Sequence, residues 1–267
     1  MLSKQAALLF ALGLMVVLTA SCGKTEESSV PAGPLYQPTG KEGSISGAIT
    51  FSGTVPAPRK MEMSQDPVCE TMGEAFIDDV IVKDGKLQNV FVYVKSGLPK
   101  DSFETPTVDV ILDQKGCKYV PRVLGIQTGQ QLKITNSDPT DHNIHPIPKV
   151  NNEWNQSQLA GQGPIIRRFT KEEVLIQVKC NKHPWMLAWV SVLAHPFYAV
   201  SGPDGSFAIK GLPPGEYEIE AWHEKFGAKT ITIKVAEKAD TRADFTFTAA
   251  TVYNAGSLKM QPAVILP

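Results

Sequence analysis

Residues 173–194 read EVLIQVKCNKHPWMLAWVSVLA, and this segment is more informative about fold and function than any other part of the chain. Short apolar patterns predict one strand from Glu173 to Lys179 and another from Ala188 to Ala194. The loop between these strands carries a thiol, an imidazole and a thioether, which belong to Cys180, His183 and Met186. Proline restricts φ, so Pro184 stiffens the loop that must bring these groups together.

A second imidazole lies upstream on a separate loop. The run Asn-Ser-Asp-Pro at 136–139 marks that loop, and His142 and His145 follow it. One cysteine, two histidines and one methionine form the ligand set of blue-copper sites, and soft sulfur donors favour copper. The sequence therefore predicts one copper ion held by His142, Cys180 and His183, with Met186 as a weak ligand. His145 is the alternative first ligand.

The rest of the chain has the patterns of an all-β protein. Its 267 residues are 42% apolar, enough for a sizeable core, and a net charge of −1 makes nucleic acid an unexpected partner. Short strand patterns are separated by turn signals, among them Asp84-Gly85 in a predicted hairpin. These features predict a Greek-key β-sandwich or barrel over residues 43–195.

A second, smaller β unit is predicted over residues 196–250. Residues 216–222 alternate strictly between polar and apolar side chains, which indicates a strand with one buried face. The runs Asp-Gly-Ser-Phe at 204–207 and Gly-Leu-Pro-Pro-Gly-Glu-Tyr at 211–217 resemble those of carboxypeptidase regulatory-like domains. This resemblance implies a small transthyretin-like β-sandwich and names no chemistry. Residues 251–267 are expected to form a C-terminal tail.

The N-terminus has the pattern of a targeting segment. Lys4 precedes an apolar stretch from Ala6 to Leu18 that is too short to span a bilayer, and small residues then lead to Cys22. This pattern resembles a bacterial lipoprotein signal, with an ordinary secretory signal as the alternative. We therefore expect a signal peptide at 1–21, lipidation of Cys22, and a flexible tether at 22–42 that is rich in Gly, Ser and Pro.

The four cysteines fit an oxidising compartment. Cys22 is assigned to the anchor and Cys180 to the metal, which leaves Cys69 and Cys117. A disulfide between these two is the default outside the cytoplasm. Two separate buried thiols, or a second metal site, are the alternatives. The expected location is the bacterial periplasm or cell envelope, with the lipid in the outer membrane rather than the inner one.

The two loops also carry a family resemblance. His-Asn-Ile-His at 142–145 followed by Cys-x-x-His-Pro-Trp-Met at 180–186 resembles the cupredoxins, amicyanin most of all and plastocyanin less closely. The resemblance implies a type 1 copper ion with three equatorial ligands and one axial ligand: His142, Cys180, His183 and, axially, Met186. It implies that the backbone amide of Asn143 steadies the thiolate. The residues expected around the ligands are Asn143, His145, Pro184 and Trp185. The whole arrangement also resembles envelope proteins of the methylamine utilisation type.

The surroundings of the site are expected to be apolar. Trp185, Leu187 and Trp189 predict a collar that excludes water, with the edge of His183 partly exposed inside it as an exit path for an electron. The same surface would dock a redox partner briefly.

Three functions are compatible with these residues. The first is a carrier of single electrons between transient donor and acceptor proteins, which is not an enzyme. The second is a module that holds or delivers copper, with the C-terminal sandwich contacting a protein or glycan. The third is a red-copper enzyme with water in place of Met186. A catalytic zinc site needs an open coordination position, and the placement of Met186 argues against it.

Overall fold

The protein is almost entirely β-structure. The computed structural model describes residues 33–249, and within this range the backbone forms nineteen strands and one short helix, so the predicted all-β class is confirmed. The predicted signal peptide, Cys22 and the tail at 251–267 lie outside the described residues. Between residues 33 and 249 no helix has the length and hydropathy needed to cross a membrane.

The elements follow one another along the whole described chain. Up to residue 147 they are β1 (Gly43–Ser52), α1 (Pro67–Thr71), β2 (Val82–Lys83), β3 (Lys86–Leu87), β4 (Phe91–Ser96), β5 (Val110–Gln114), β6 (Tyr119–Val120), β7 (Val123–Gln127), β8 (Gln131–Asn136) and β9 (His142–Ile147). The later strands are β10 (Gln156–Gln158), β11 (Ile165–Arg168), β12 (Glu173–Lys179), β13 (Leu187–Leu193), β14 (Tyr198–Val200), β15 (Ser206–Leu212), β16 (Gly215–His223), β17 (Gly227–Val235), β18 (Asp240–Arg242) and β19 (Phe245–Thr248).

The first sandwich contains both loops that sequence analysis singled out. One of its sheets has the order β10-β9-β12-β13-β7, and the other has the order β11-β8-β5-β6. Alternating apolar residues on the facing strands form one continuous core, which includes Leu112, Ile134, Ile144, Val178 and Val190. Burial of such side chains removes apolar surface from water and is the main force that holds the two sheets together.

The second sandwich packs a six-stranded sheet against a four-stranded one. The order of the first sheet is β15-β1-β3-β2, with β18 and β19 also paired to β1, and the order of the second is β14-β4-β16-β17. The predicted strict alternation in β16 is confirmed, because Tyr217, Ile219 and Ala221 are buried while their neighbours are not. The predicted Asp-Gly hairpin is also present: Asp84 and Gly85 both have positive φ, as a two-residue type I′ turn between β2 and β3 requires.

The second sandwich is assembled from two distant parts of the chain. Strand β1 pairs with β15, β18 and β19, and β4 lies between β14 and β16. The expected division into 43–195 and 196–250 therefore does not coincide with the boundary between the sheets. The physical reason is that Ile45 and Ile49 of β1 are buried in a core contributed mainly by residues 197–247.

The last part of the expected tether is also packed on the fold. The Tyr36 backbone N–H donates to the carbonyl of Ser102 at 2.8 Å, and the rings of Tyr36 and Phe103 lie 5.4 Å apart. The aromatic ring of Tyr36 gives this stretch an apolar contact that its polar composition does not indicate.

Helix α1 is short and is tied to the first sandwich. Asp66 caps its N-terminus, Pro67 occupies the first turn, and Cys69 forms a disulfide with Cys117 in the turn between β5 and β6. The predicted disulfide is thus confirmed, with a Cα–Cα distance of 5.9 Å. It brings the segment 59–77 to the end of the first sandwich where the two predicted ligand loops lie.

Candidate metal centre

Adjacent strands bring the two ligand loops to one end of the first sandwich. Strands β9 and β12 are antiparallel neighbours, with Lys179 opposite His145. His142 begins β9, and Cys180 directly follows the last residue of β12. In an antiparallel pair the start of one strand lies beside the end of the other, so the sheet itself places these two side chains together.

Three donor atoms converge at this end. His142 Nδ1 and His183 Nδ1 lie 2.8 Å apart, and Cys180 Sγ lies 3.7 Å from His183 Nδ1. All three side chains are buried, and the three donor atoms lie within 4.8 Å of one another. The structure therefore brings together His142, Cys180 and His183, which sequence analysis had proposed as the strong ligands.

A carboxylate anchors the outer nitrogen of each imidazole. His142 Nε2 lies 2.8 Å from Asp138 Oδ2, and His183 Nε2 lies 2.9 Å from Asp66 Oδ2. A carboxylate only accepts hydrogen bonds, so each Nε2 carries a proton and each Nδ1 can direct a lone pair inwards. Two lone pairs and a sulfur that face one another repel, and a cation among them, either a proton on Nδ1 or a metal ion, removes that repulsion.

The electrostatics of the centre favour a deprotonated sulfur. Burial disfavours the thiolate of Cys180, but hydrogen bonds from His142 and His183 and from the Asn143 amide outweigh it and lower the pKa to about 6. Burial likewise opposes the charged form of His142, yet hydrogen bonds with Asp138 and Cys180 raise its pKa. The thiolate is the form of cysteine that binds metals.

Asn143 braces the ligand loop, as the resemblance implied for its backbone amide. That amide points at Cys180 Sγ at 3.5 Å, and the side-chain Oδ1 accepts from the backbone N–H groups of Asn181 at 2.6 Å and Lys182 at 3.3 Å. The Tyr119 hydroxyl adds a second brace, because it donates to the carbonyls of Asn143 and Lys179. The two loops are thus held together by hydrogen bonds that do not depend on a metal.

Met186 and Trp185 close the loop from the interior side. The Met186 N–H donates to the carbonyl of His183 at 2.9 Å, and its carbonyl accepts from the Cys180 N–H at 3.3 Å. The Met186 side chain is buried in the core of the first sandwich, and Trp185 donates from Nε1 to the carbonyl of Cys117 at 3.0 Å. Pro184 is exposed on the opposite side of the loop.

His145 is separated from the donor group. Its Nδ1 lies 3.0 Å from Asn181 Oδ1, and its Nε2 lies 2.7 Å from Glu153 Oε1. Both ring nitrogens therefore already have partners on the outer face of β9. This placement favours His142 over His145 as the first ligand, and leaves His145 as a support for the residue after Cys180.

The expectation of a partly exposed His183 is wrong. His183 is only 2% exposed, because the segment with Asp66 and helix α1 lies over its outer edge. The predicted collar is also only partial. Trp185 lies 5.1 Å from the His183 ring, but Trp189 packs edge-to-face on Trp222 of the second sandwich. Its position is set by the contact between the two sandwiches rather than by the metal centre.

Sequence analysis missed three residues of the centre: Asp66, Asp138 and Tyr119. Asp138 had a usable signal, because it precedes His142 by four residues in a turn-forming run. Asp66 and Tyr119 had none that pointed to a metal, since they contact the ligand loops only through tertiary structure.

Comparisons with known proteins cover parts of the chain. Residues 182–248 match the family model of the carboxypeptidase regulatory-like domain. This stretch begins in the loop that carries His183 and extends through the later strands of the second sandwich. No curated protein sequence matches the chain.

Several solved copper proteins are similar to part of the chain. A copper-containing nitrite reductase from Thermus scotoductus SA-01 is 14% identical, with 54% of this chain and 28% of that one covered and a TM-score of 0.31. A purple cupredoxin from Nitrosopumilus maritimus is 26% identical, with coverages of 32% and 97% and a TM-score of 0.27. A reduced amicyanin variant is 21% identical, with coverages of 38% and 97% and a TM-score of 0.29. The chain thus spans under a third of the nitrite reductase.

Proposed function

We propose that the chain binds one type 1 copper ion through His142, Cys180 and His183, with Met186 as a weak axial ligand, and carries single electrons. One observation supports this above the rest: two imidazole Nδ1 atoms and a cysteine sulfur converge in a buried site where both Nε2 atoms are held by carboxylates.

The donor chemistry fits copper. Thiolate and imidazole together with a thioether select copper over hard cations, which prefer oxygen ligands. A bound copper ion would supply a one-electron redox couple at this point. The low pKa of Cys180 keeps the sulfur available as a thiolate at neutral pH.

The surrounding residues suit electron transfer, which needs ligands that move little. Asn143 and Tyr119 hold the loops by hydrogen bonds, and the carboxylates of Asp66 and Asp138 fix the imidazole rings. The buried Met186 and Trp185 exclude water from the interior side. We therefore propose a carrier rather than an enzyme, since an enzyme needs an open position for its substrate.

A module that holds or delivers copper is the second candidate. The cover over His183 favours it, because direct contact between this ring and a redox partner is blocked by the segment around Asp66. Such a module would take up copper without rapid electron exchange.

The cellular setting is part of the proposal. The signal pattern at residues 1–21 and Cys22 supports a lipid-anchored protein of the bacterial envelope, in the outer membrane rather than the inner one. Its partners would be a transient redox donor and acceptor, and the second sandwich would contact a protein or glycan. Neither role involves nucleic acid. Membership of the methylamine utilisation type stays a prediction.

Optical and electron paramagnetic resonance spectra of the copper-loaded protein test the function. We expect intense blue colour, reversible one-electron reduction and loss of both in Cys180→Ala. His145→Asn is the matched control and should keep the spectrum. Blue colour that persists in Cys180→Ala would contradict the proposal, and copper uptake without reversible reduction would favour the second candidate.

A further inference from the structure

His183 has its two ring nitrogens in opposite surroundings. Nδ1 faces His142 Nδ1 and Cys180 Sγ, whereas Nε2 faces the carboxylate of Asp66 at 2.9 Å. The ring is 2% exposed, so water does not compete for either nitrogen. An imidazole that carries a single proton holds it on one nitrogen only, and the position of that proton decides whether Nδ1 offers a lone pair or an N–H to a metal.

Asp66 is held in place independently of His183. Its Oδ1 caps helix α1 by accepting from the backbone N–H groups of Val68 at 2.9 Å and Cys69 at 3.1 Å. Its Oδ2 accepts from the Thr140 hydroxyl at 3.0 Å as well as from His183. The disulfide of Cys69 then ties the helix to the first sandwich. The carboxylate is thus positioned before any metal binds.

Both carboxylate oxygens of Asp66 already act as acceptors. Oδ1 accepts from two backbone N–H groups, and Oδ2 accepts from the Thr140 hydroxyl. In the remaining contact, at 2.9 Å, His183 Nε2 is therefore the donor and Asp66 Oδ2 the acceptor.

We propose that Asp66 is a positioning residue for the metal centre: it holds His183 with the proton on Nε2 and the lone pair of Nδ1 directed at the ion. The part that concerns the ion rests on the proposed copper function, whereas the position of the proton is a property of the metal-free protein. The sequence around His183 does not predict this role, because Asp66 lies in a helix cap 117 residues earlier.

Asp66→Asn tests the proposal with little change to the fold. Asparagine is as good a helix cap as aspartate, so its Oδ1 keeps the bonds to Val68 and Cys69. The side-chain NH₂ then faces His183 and must donate to Nε2, which drives the ring proton to Nδ1. Thr140→Val is the matched control, because it removes the other partner of the same Oδ2 and leaves His183 untouched.

Two measurements decide the outcome. In ¹⁵N-imidazole NMR spectra of the metal-free protein, we expect the His183 proton on Nε2 in the wild type and in Thr140→Val, and on Nδ1 in Asp66→Asn. We expect copper affinity to fall by about 10- to 100-fold in Asp66→Asn, as for other partners of ligand histidines. In Thr140→Val the affinity should change by less than about twofold.

The positioning role of Asp66 and the binding of copper can be disproved independently of each other. A proton that stays on Nε2 in Asp66→Asn, or an unchanged copper affinity in that variant, overturns the positioning role. A wild-type protein that binds no copper overturns the proposed function. In that case the NMR spectra of the metal-free protein still decide whether Asp66 sets the proton position of His183.

Discussion

Asn143 joins the two loops of the candidate centre through both its backbone and its side chain. Its amide N–H is directed at the sulfur of Cys180, and its Oδ1 accepts from the N–H groups of Asn181 and Lys182. The side chain also donates to Asn155 Oδ1 at 2.6 Å. One buried residue therefore accepts from two successive backbone donors that follow β12, at positions 181 and 182, which are themselves exposed.

Replacement of Asn143 by alanine should destabilise the protein even without metal. The change removes the side-chain hydrogen bonds to the N–H groups of Asn181 and Lys182, each of which contributes about 0.5–1.5 kcal/mol of unfolding free energy. Urea unfolding of the metal-free protein measures the loss. The control is Asn152→Ala, at an exposed position, where a change within about 0.5 kcal/mol is expected. Equal stability of the two variants would show that the side-chain hydrogen bonds of Asn143 do not stabilise the fold.

At the scale of elements, the disulfide connects the two backbone segments that hold the carboxylates. Asp66 accepts from the N–H of Cys69, and Asp138 accepts from the N–H of Cys117 at 2.8 Å. A single covalent bond thus links the supports of Asp66 and Asp138, and through them both imidazoles. Helix α1 has five residues, too few to be stable alone, so its position depends on this bond and on its cap.

The double variant Cys69→Ser/Cys117→Ser should destabilise the protein and increase the mobility of the segment 59–77, which includes helix α1. The disulfide has a sequence separation of 48 residues, and a loop of that length implies a loss of about 4 kcal/mol on removal. We also expect faster amide hydrogen exchange in residues 59–77. Denaturant unfolding and exchange measured by mass spectrometry check both. Glu70→Ala, on the exposed side of the same helix, is the control. Unchanged exchange at 59–77 would mean that the cap alone holds the helix.

The strands and the three converging donors could be predicted from sequence, because both depend on local information. Alternation of apolar residues marks β1 and β16, a short apolar run marks β12, and the spacing Cys-x-x-His places two donors in one loop. The pairing of β1 with β15, β18 and β19 could not be predicted, since alternation shows that a face is buried but not against what. The contact of Asp66 with His183 could not be predicted either, because it also depends on which distant segments pack together.

At the scale of the whole molecule, the two sandwiches share a buried boundary. Arg122, before β7, forms a bidentate ion pair with Glu224, which lies in the turn after β16. Nη1 of the same arginine donates to the carbonyl of Leu187. Beside it, Trp189 packs edge-to-face on Trp222 with ring centroids 5.0 Å apart. The ligand loop, which ends just before Leu187, is therefore joined to the second sandwich through one arginine.

Glu224→Gln should weaken this boundary strongly. Both side chains of the pair are more than 90% buried, so loss of the carboxylate leaves the Arg122 charge uncompensated, at a cost of about 3–5 kcal/mol. The matched control is Glu237→Gln, which breaks an exposed pair with Lys41 and should cost less than about 1 kcal/mol. Urea unfolding of both variants gives the comparison. Similar losses in the two would contradict a special role for the buried pair.

Two buried histidines should make the stability of the molecule depend on pH. Burial lowers the pKa of His195 to about 4, against a weaker opposing effect of the Val94 backbone. Burial also lowers the pKa of His223 to about 4; Asp79 opposes the shift, while Arg122 and Lys225 add to it. The unfolded chain has a histidine pKa of about 6.5 and binds more protons than the folded one between about pH 4 and 6.5. Stability is therefore lost as the pH falls through this window, by up to about 3 kcal/mol per histidine.

Asparagine variants isolate this effect from other titrating groups. In His195→Asn and His223→Asn, Oδ1 can replace the Nδ1 that accepts from the N–H of Phe197 and of Lys225 respectively, while the titration disappears. Carboxylates with lowered pKa, such as Asp66, lose their contribution below about pH 4 and so act outside the window. We expect urea unfolding between pH 4.5 and 7.5 to show a shallower dependence in each variant and the shallowest in the double variant. A slope equal to that of the wild type would mean that these rings already carry a proton in the folded protein.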